Sequence, residues 1–281
     1  MEYNLSVCVF IKDTLEGAFC LPESMAQLMP LATEFIVMDL GSTDGTFEFL
    51  LEIANNNPKV KLYKSEWPKI DAGVFADLAN QLIDMCLYDN VLYYQADEIW
   101  HEDLVKRTQQ EFEQGHFDLS FWRIQYRDNF QRVKWFPHLV HRVGQKDNFN
   151  FVGDGMNTDR VWEARVCSAY DGSYFMQWGA MHEEGIKSYV NDMIMDVSAV
   201  GGFRDNIIEK RRLHAPFWHE SNDVEAKYNP DQWIRDAMED NIWVKGNSPY
   251  NLPEIMQYHV GKTRYELRPW LLEKLKHGFS D

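Results

Sequence analysis

The sequence predicts an α/β chain: a mainly parallel sheet flanked by helices, followed by a C-terminal extension of mixed α+β character. Three observations predict it. Apolar, strand-like runs alternate with helix-periodic segments over the first hundred or so residues, which is the pattern of parallel strands with helices on both faces. Acids stand at the ends of two of those runs, where such sheets place their ligand crevice. After Asp103 the regularity weakens, and residues 130–185 are rich in Trp, Phe, Gly and His.

The elements follow in order. "LSVCVFI" (5–11) is apolar and reads as a buried strand, and "EFIVMD" (34–39) as a second. The second runs into "LGSTDGT", a turn in which Thr43 or Asp44 can cap a helix carrying "FEFLLEIA" (47–54). "VKLYK" (60–64) is a third strand. Phe75, Leu78, Ala79, Leu82, Ile83 and Cys86 recur at helical spacing. "VLYYQ" (91–95) is a fourth strand, and Asp97 and Glu98 follow it directly. "DLVKRTQQEF" reads as a helix and "LSFWRIQYRD" (119–128) as a strand. From 130 to 185 short strands are expected, from 186 to 200 a helix, and from 229 onward short helices between Gly/Pro turns. Residues 1–128 form one half and 129–281 the other, with no linker or repeat between them.

Composition narrows the function. A hydrophobic content of 45% and an aromatic content of 14% can fill a sizeable core, so disorder is excluded. With 28 Lys+Arg against 44 Asp+Glu the net charge is −16, which repels phosphate backbones and argues against a nucleic-acid partner. Cys8, Cys20, Cys86 and Cys167 form no C-x-x-C pair, so a zinc or redox motif is not expected. The start carries no basic, apolar leader and no stretch is long enough to span a bilayer; a cytoplasmic protein without a transmembrane segment is expected.

"LSVCVFIKDT", "EFIVMDLGSTDGTFEFL" and "YYQADEIWHEDL" resemble the nucleotide-sugar-binding half of family 2 glycosyltransferases, which have the Rossmann-like GT-A fold. The tract D-x-G-S-T-D-G-T carries most of the resemblance, which covers about the first third of the chain; "FVGDGMN" and Trp178-Gly179 fit later family segments more loosely. The resemblance implies a donor that is a nucleotide sugar, an acceptor that is a glycan, lipid-linked sugar or protein, and inversion at the anomeric carbon. Asp39 would accept a hydrogen bond from the base, and Ser42 and Asp44 would shape the nucleotide pocket. Gln95-Ala96-Asp97 stands at the family's D-x-D motif, with Asp97 on Mn²⁺ or Mg²⁺ that bridges the diphosphate.

The sequence also departs from the family. Gln95 replaces the first acid, Lys12-Asp13 stands for Asn-Glu, Ala79-Asn80 for Arg-Asn, and Gln177-Trp178-Gly179 for His-Tyr-Gly. Diphosphate neutralisation then rests on the metal or on Lys12.

Glycosyl transfer needs a stabilised leaving diphosphate, a base for the acceptor hydroxyl and a fixed alignment. Asp154 in "FVGDGMN" is the candidate base, with Glu183 and Glu184 behind it. His259 or His182 can add a metal ligand, and Trp135 and Trp178 can stack on a sugar. Each has a plainer reading. Asp97 can cap the following helix, Glu98 can sit in its first turn, Asp39 can form a turn, "GDG" can be only a turn, and Lys12 and "EKRRLH" can be solvated surface. Two other functions stay open: a non-catalytic or weakly active binding protein on the same scaffold, and a sugar nucleotidyltransferase. The latter normally begins with a Gly-rich loop where this chain has "KDTLEG".

Overall fold

The computed structural model describes residues 3–17, 19–68, 73–127, 132–134, 138–153, 155, 157–160, 165–166, 194–199, 243–245, 252–260 and 265–278. Strands β1 (Ser6–Ile11), β2 (Glu34–Asp39), β3 (Val60–Lys64) and β4 (Asn90–Tyr93) alternate with helices α1 (Leu21–Leu28), α2 (Thr46–Asn56) and α3 (Val74–Met85). After them come β5 (Glu98–Trp100), α4 (Glu102–Glu113), β6 (Leu119–Arg127), β7 (Arg132–Lys134), β8 (His138–Gln145), β9 (Phe151–Val152), β10 (Asn157–Thr158), β11 (Arg165–Val166), β12 (Ile194–Ala199) and β13 (Trp243–Lys245). Helices α5 (Glu254–Gln257) and α6 (Pro269–His277) follow.

The main sheet runs β13-β7-β6-β8-β4-β1-β2-β3. β3, β2, β1 and β4 are mutually parallel, and β8, β6, β7 and β13 continue the path antiparallel. Both faces of the parallel part are apolar. Val7, Val9, Phe35 and Val37 point to α1, α2 and α6, while Cys8, Ile36 and Met38 point to α3. This is the period-2 alternation of a strand covered on both sides, and it explains why β1 and β2 read as unbroken apolar runs.

The expected strands and helices of residues 5–128 are present, with β4 ending two residues sooner than expected. Three features differ. Helix α1 was not expected: it has only eight residues, and its polar positions Glu23, Ser24 and Gln27 are buried with the rest, so they mark no solvent face. The helix expected over 186–200 is contradicted where it is described, because 194–199 form strand β12. β12 is held on one edge by β5 and on the other by β6, and pairing on both edges overrides local preference. In the aromatic middle, β8 is eight residues long rather than a short strand, and it joins the two halves of the sheet.

The C-terminal helices pack back on the first half. Asn57 donates its side-chain amide to the Leu275 carbonyl at 2.7 Å, and Lys276 pairs with Glu52. Among the described residues no helix is long and apolar enough to cross a membrane.

Candidate active site

Parallel register brings the carboxyl ends of the strands to one rim: Ile11 is level with Asp39, and Asp39 with Lys64. Asp39 is fully buried there. Its Oδ1 accepts the backbone N–H of Gly41 and of Ser42, both at 2.9 Å. Its Oδ2 is buried with no hydrogen-bond partner among the described residues. A buried carboxylate oxygen without a donor is rare and costly unless something else supplies one. The turn that does this requires Gly41, whose φ of +83° lies in the left-handed region.

The loop after β1 is stitched to the loop after β2. Lys12 Nζ donates to the Gly41 carbonyl at 2.8 Å and pairs with Asp13 at 3.0 Å. Asp13 N–H donates to Ser42 Oγ at 2.8 Å, and Thr43 N–H to Asp13 Oδ1 at 2.7 Å. Burial raises the Asp13 carboxyl, but the Thr43 amide and the Lys12 ammonium outweigh it and hold it below its ordinary value. Asp44 takes two amides: Glu16 N–H on Oδ2 at 2.8 Å and Thr46 N–H on Oδ1 at 2.9 Å. Helix α2 therefore begins at Thr46 with Gly45 at the cap position, one residue later than Asp44 and two later than Thr43 would place it. Ser42 and Asp44 shape this rim by holding its two loops together. Beside them the Lys12 ammonium lies 6.0 Å from the Trp67 ring, and Phe75 meets both Trp67 and Phe10.

The turn after β4 is built differently. Glu98 is not in the first turn of a helix; it opens strand β5 and is fully buried. Arg142 reaches its two oxygens through Nε at 2.9 Å and Nη2 at 2.7 Å, and Arg123 Nη1 adds a contact at 3.2 Å. The Gln95 N–H donates to Glu98 at 3.2 Å, and Arg123 Nη1 donates to Gln95 Oε1 at 2.9 Å. Arg123 also lies 3.5 Å from Asp196 of β12. Burial opposes ionisation of Glu98, but Arg142 and then Arg123 outweigh it, so its carboxyl stays below the ordinary range. The Asp97 carbonyl accepts Val197 N–H at 2.9 Å, and its side chain is half-buried. Helix α4 starts at Glu102 with His101 as its cap, so neither Asp97 nor Glu98 caps it.

His259 is fully buried, and its Nε2 lies 2.8 Å from Glu23 Oε1 on α1. Tyr265 donates to the other Glu23 oxygen at 3.0 Å. Among the described residues no group of three His, Cys, Asp or Glu side chains is placed to hold a metal ion. Asp154, Trp178, Trp135, His182, Glu183 and Glu184 lie outside the described residues.

Sequence reasoning missed Arg123 and Arg142. A signal existed, since an arginine inside an otherwise apolar or aromatic strand must find a buried acid. It also missed Glu23 and the contacts of Asn80, which are long-range and leave no local pattern.

A parallel sheet with helices on both faces, and a buried acid and a stitched loop pair at the carboxyl ends of its strands, is the α/β class that places its ligand crevice at that rim. The comparisons narrow that class. The profile described as "Glycosyl transferase family 2" matches residues 19–166, more than half of the chain, and the chain belongs to that family. No curated protein matches it. Among solved structures it is similar to a mannosyltransferase from Pyrobaculum calidifontis in complex with GDP-Man and Mn²⁺, at 18% identity and a TM-score of 0.33 over 42% of this chain and 36% of that one. It is similar also to residues 1–349 of TarS from S. aureus, at 12% identity and a TM-score of 0.39 over 84% and 71%. A third is glucosyl-3-phosphoglycerate synthase from Mycobacterium tuberculosis, at 19% identity and a TM-score of 0.30 over 43% and 44%. This chain thus spans well under half the length of the first and third of these proteins.

Proposed function

We propose that the protein transfers a sugar from a nucleotide-diphosphate donor to an acceptor hydroxyl, assisted by a divalent cation and with inversion. The observation that carries this reading is the Asp39 carboxylate. One oxygen is locked by two backbone amides and the other is buried without a donor, at the strand end where the family places its nucleotide base. An N–H on the base would satisfy it.

In the Gln95–Glu98 turn Asp97 is the residue that would hold Mn²⁺ or Mg²⁺, and its charge also acts on Arg123. Glu98 is taken by two guanidiniums, and the Gln95 carbonyl oxygen accepts from Arg123. One carboxylate suffices for a cation whose other ligands are water and donor phosphates. Bound there, the cation would supply the counter-charge for a leaving diphosphate that a chain of net charge −16 otherwise repels. Asp97 holds its place through the Val197 amide, and Lys12 faces the same rim from β1. Asp154 is the residue to accept the acceptor's proton.

Asp39→Asn tests the nucleotide reading. It keeps an oxygen for Gly41 and Ser42 but puts a donor where an acceptor is needed. Affinity for UDP or GDP, measured by titration calorimetry with Mn²⁺, should fall about 10- to 100-fold, the size of a charge-assisted hydrogen bond. An unchanged dissociation constant removes Asp39 from the site. Wild-type protein that gives no heat with either nucleotide overturns the transferase reading.

A further inference from the structure

Strand β9 is held by a side chain of the other half. Asn80, on α3, bonds the backbone of Phe151 twice: Phe151 N–H donates to Asn80 Oδ1 at 2.7 Å, and Asn80 Nδ2 donates to the Phe151 carbonyl at 3.0 Å. A carboxamide presents one donor and one acceptor in a plane, so Asn80 does for β9 what a neighbouring strand would do. Four residues later Gly155 sits on the first turn of α3. With φ of +74°, a Cβ on it would lie 2.7 Å from the Phe75 carbonyl carbon and 2.9 Å from the Ala76 nitrogen. At the cap of α3, a Cβ on Gly73 would lie 3.9 Å from the Gly153 carbonyl. Gly155 therefore rests on α3 and the Gly153 carbonyl lies near its cap, while the buried face of α3 packs under β1 and β2.

We propose that Asn80 is a positioning residue for transfer: it sets the distance between the Gly153–Gly155 turn and the donor rim. This rests on the transferase reading above. The two bonds end on Phe151, and the hydrogen bonds that hold Asp39 come from Gly41 and Ser42, not from Asn80 or Phe151. Loss of Asn80 should spare nucleotide binding and lower turnover.

The test compares Asn80→Asp, which keeps the acceptor for Phe151 N–H but no donor, with Asn80→Ala, which keeps neither. Turnover is read as hydrolysis of UDP-glucose or GDP-mannose, whichever the wild type cleaves faster, with water as acceptor. Binding is read by calorimetry with UDP or GDP and Mn²⁺. In Asn80→Ala the turnover number per folded molecule should fall about 10²-fold, the scale of an ångström-sized misplacement of a reacting group. Asn80→Asp should fall between it and wild type, with nucleotide affinity within about twofold in both. Amide exchange should quicken over 150–155 in step with the loss. Asn80→Asp keeps the test open if Asn80→Ala does not fold. Turnover at the wild-type level in Asn80→Ala, or in Asn80→Asp where Asn80→Ala does not fold, overturns the inference, as does a loss matched by weaker nucleotide binding. A wild type that binds no nucleotide sinks the transferase reading instead, so the two failures are told apart.

Discussion

Two turns leave the carboxyl ends of parallel strands, and both carry acids, yet they are held by opposite means. The Asp39 turn is secured by backbone amides from within its own loop and from the loop after β1, about thirty residues away. The Gln95–Glu98 turn is secured by the guanidiniums of Arg123 and Arg142, which come from β6 and β8. Amides leave Asp39 one open oxygen, whereas the guanidiniums and the Gln95 amide occupy both oxygens of Glu98. An acid at a strand end is thus not enough to mark a ligand contact. What matters is whether its lone pairs are already taken.

The comparison breaks first at Glu98. Glu98→Gln leaves Arg142 and Arg123 buried with one carboxylate removed, and should cost about 3–5 kcal/mol in unfolding free energy. Urea denaturation measures it; a loss under about 1 kcal/mol would mean the cluster is not the clamp described. Next comes acid. The Glu98 carboxyl is depressed in the folded protein, so its contribution is complete above the ordinary carboxylate value. It is lost as pH falls through the lower folded value, because the unfolded chain then binds the proton more readily. Glu98→Gln should flatten that part of the acid limb, and an unaltered slope would assign the limb to other acids. The smallest effect is at the first turn. Asp44→Ala removes the acceptor of Glu16 and Thr46 and should cost about 1–2 kcal/mol, a cap-sized loss visible in the melting temperature. A melting temperature equal to wild type would show the two loops hold without it.

The same contrast explains what the sequence made legible. β1, β2, β3, α2, α3, α4 and β6 were readable because each carries its own period or turn signal within a few residues. The Asp39 turn was readable because its ligands are its neighbours. Helix α1 was not, since it is only eight residues long and its polar side chains Glu23 and Gln27 are answered by His259 and the Trp100 amide, far away in the chain. β12 was not, since its strand state comes from edges on β5 and β6. Glu98 looked like a helix-end acid because its partners stand 25 and 44 residues onward. His259 read as a candidate metal ligand because its partner Glu23 lies 236 positions earlier.

Glu23 is buried on the first helix, and the groups that meet it are His259, Tyr265 and Arg268. Asn57 likewise waits for Leu275, 218 positions on. During synthesis the ribosome releases α1 and α2 long before these partners exist, so the nascent donor half spends most of translation with an unanswered carboxylate in its interior. Contacts of such sequence separation close late and slowly. The first half of the chain therefore reaches its final packing only after α6 has left the exit tunnel, so a segment more than two hundred positions away is a piece of its core.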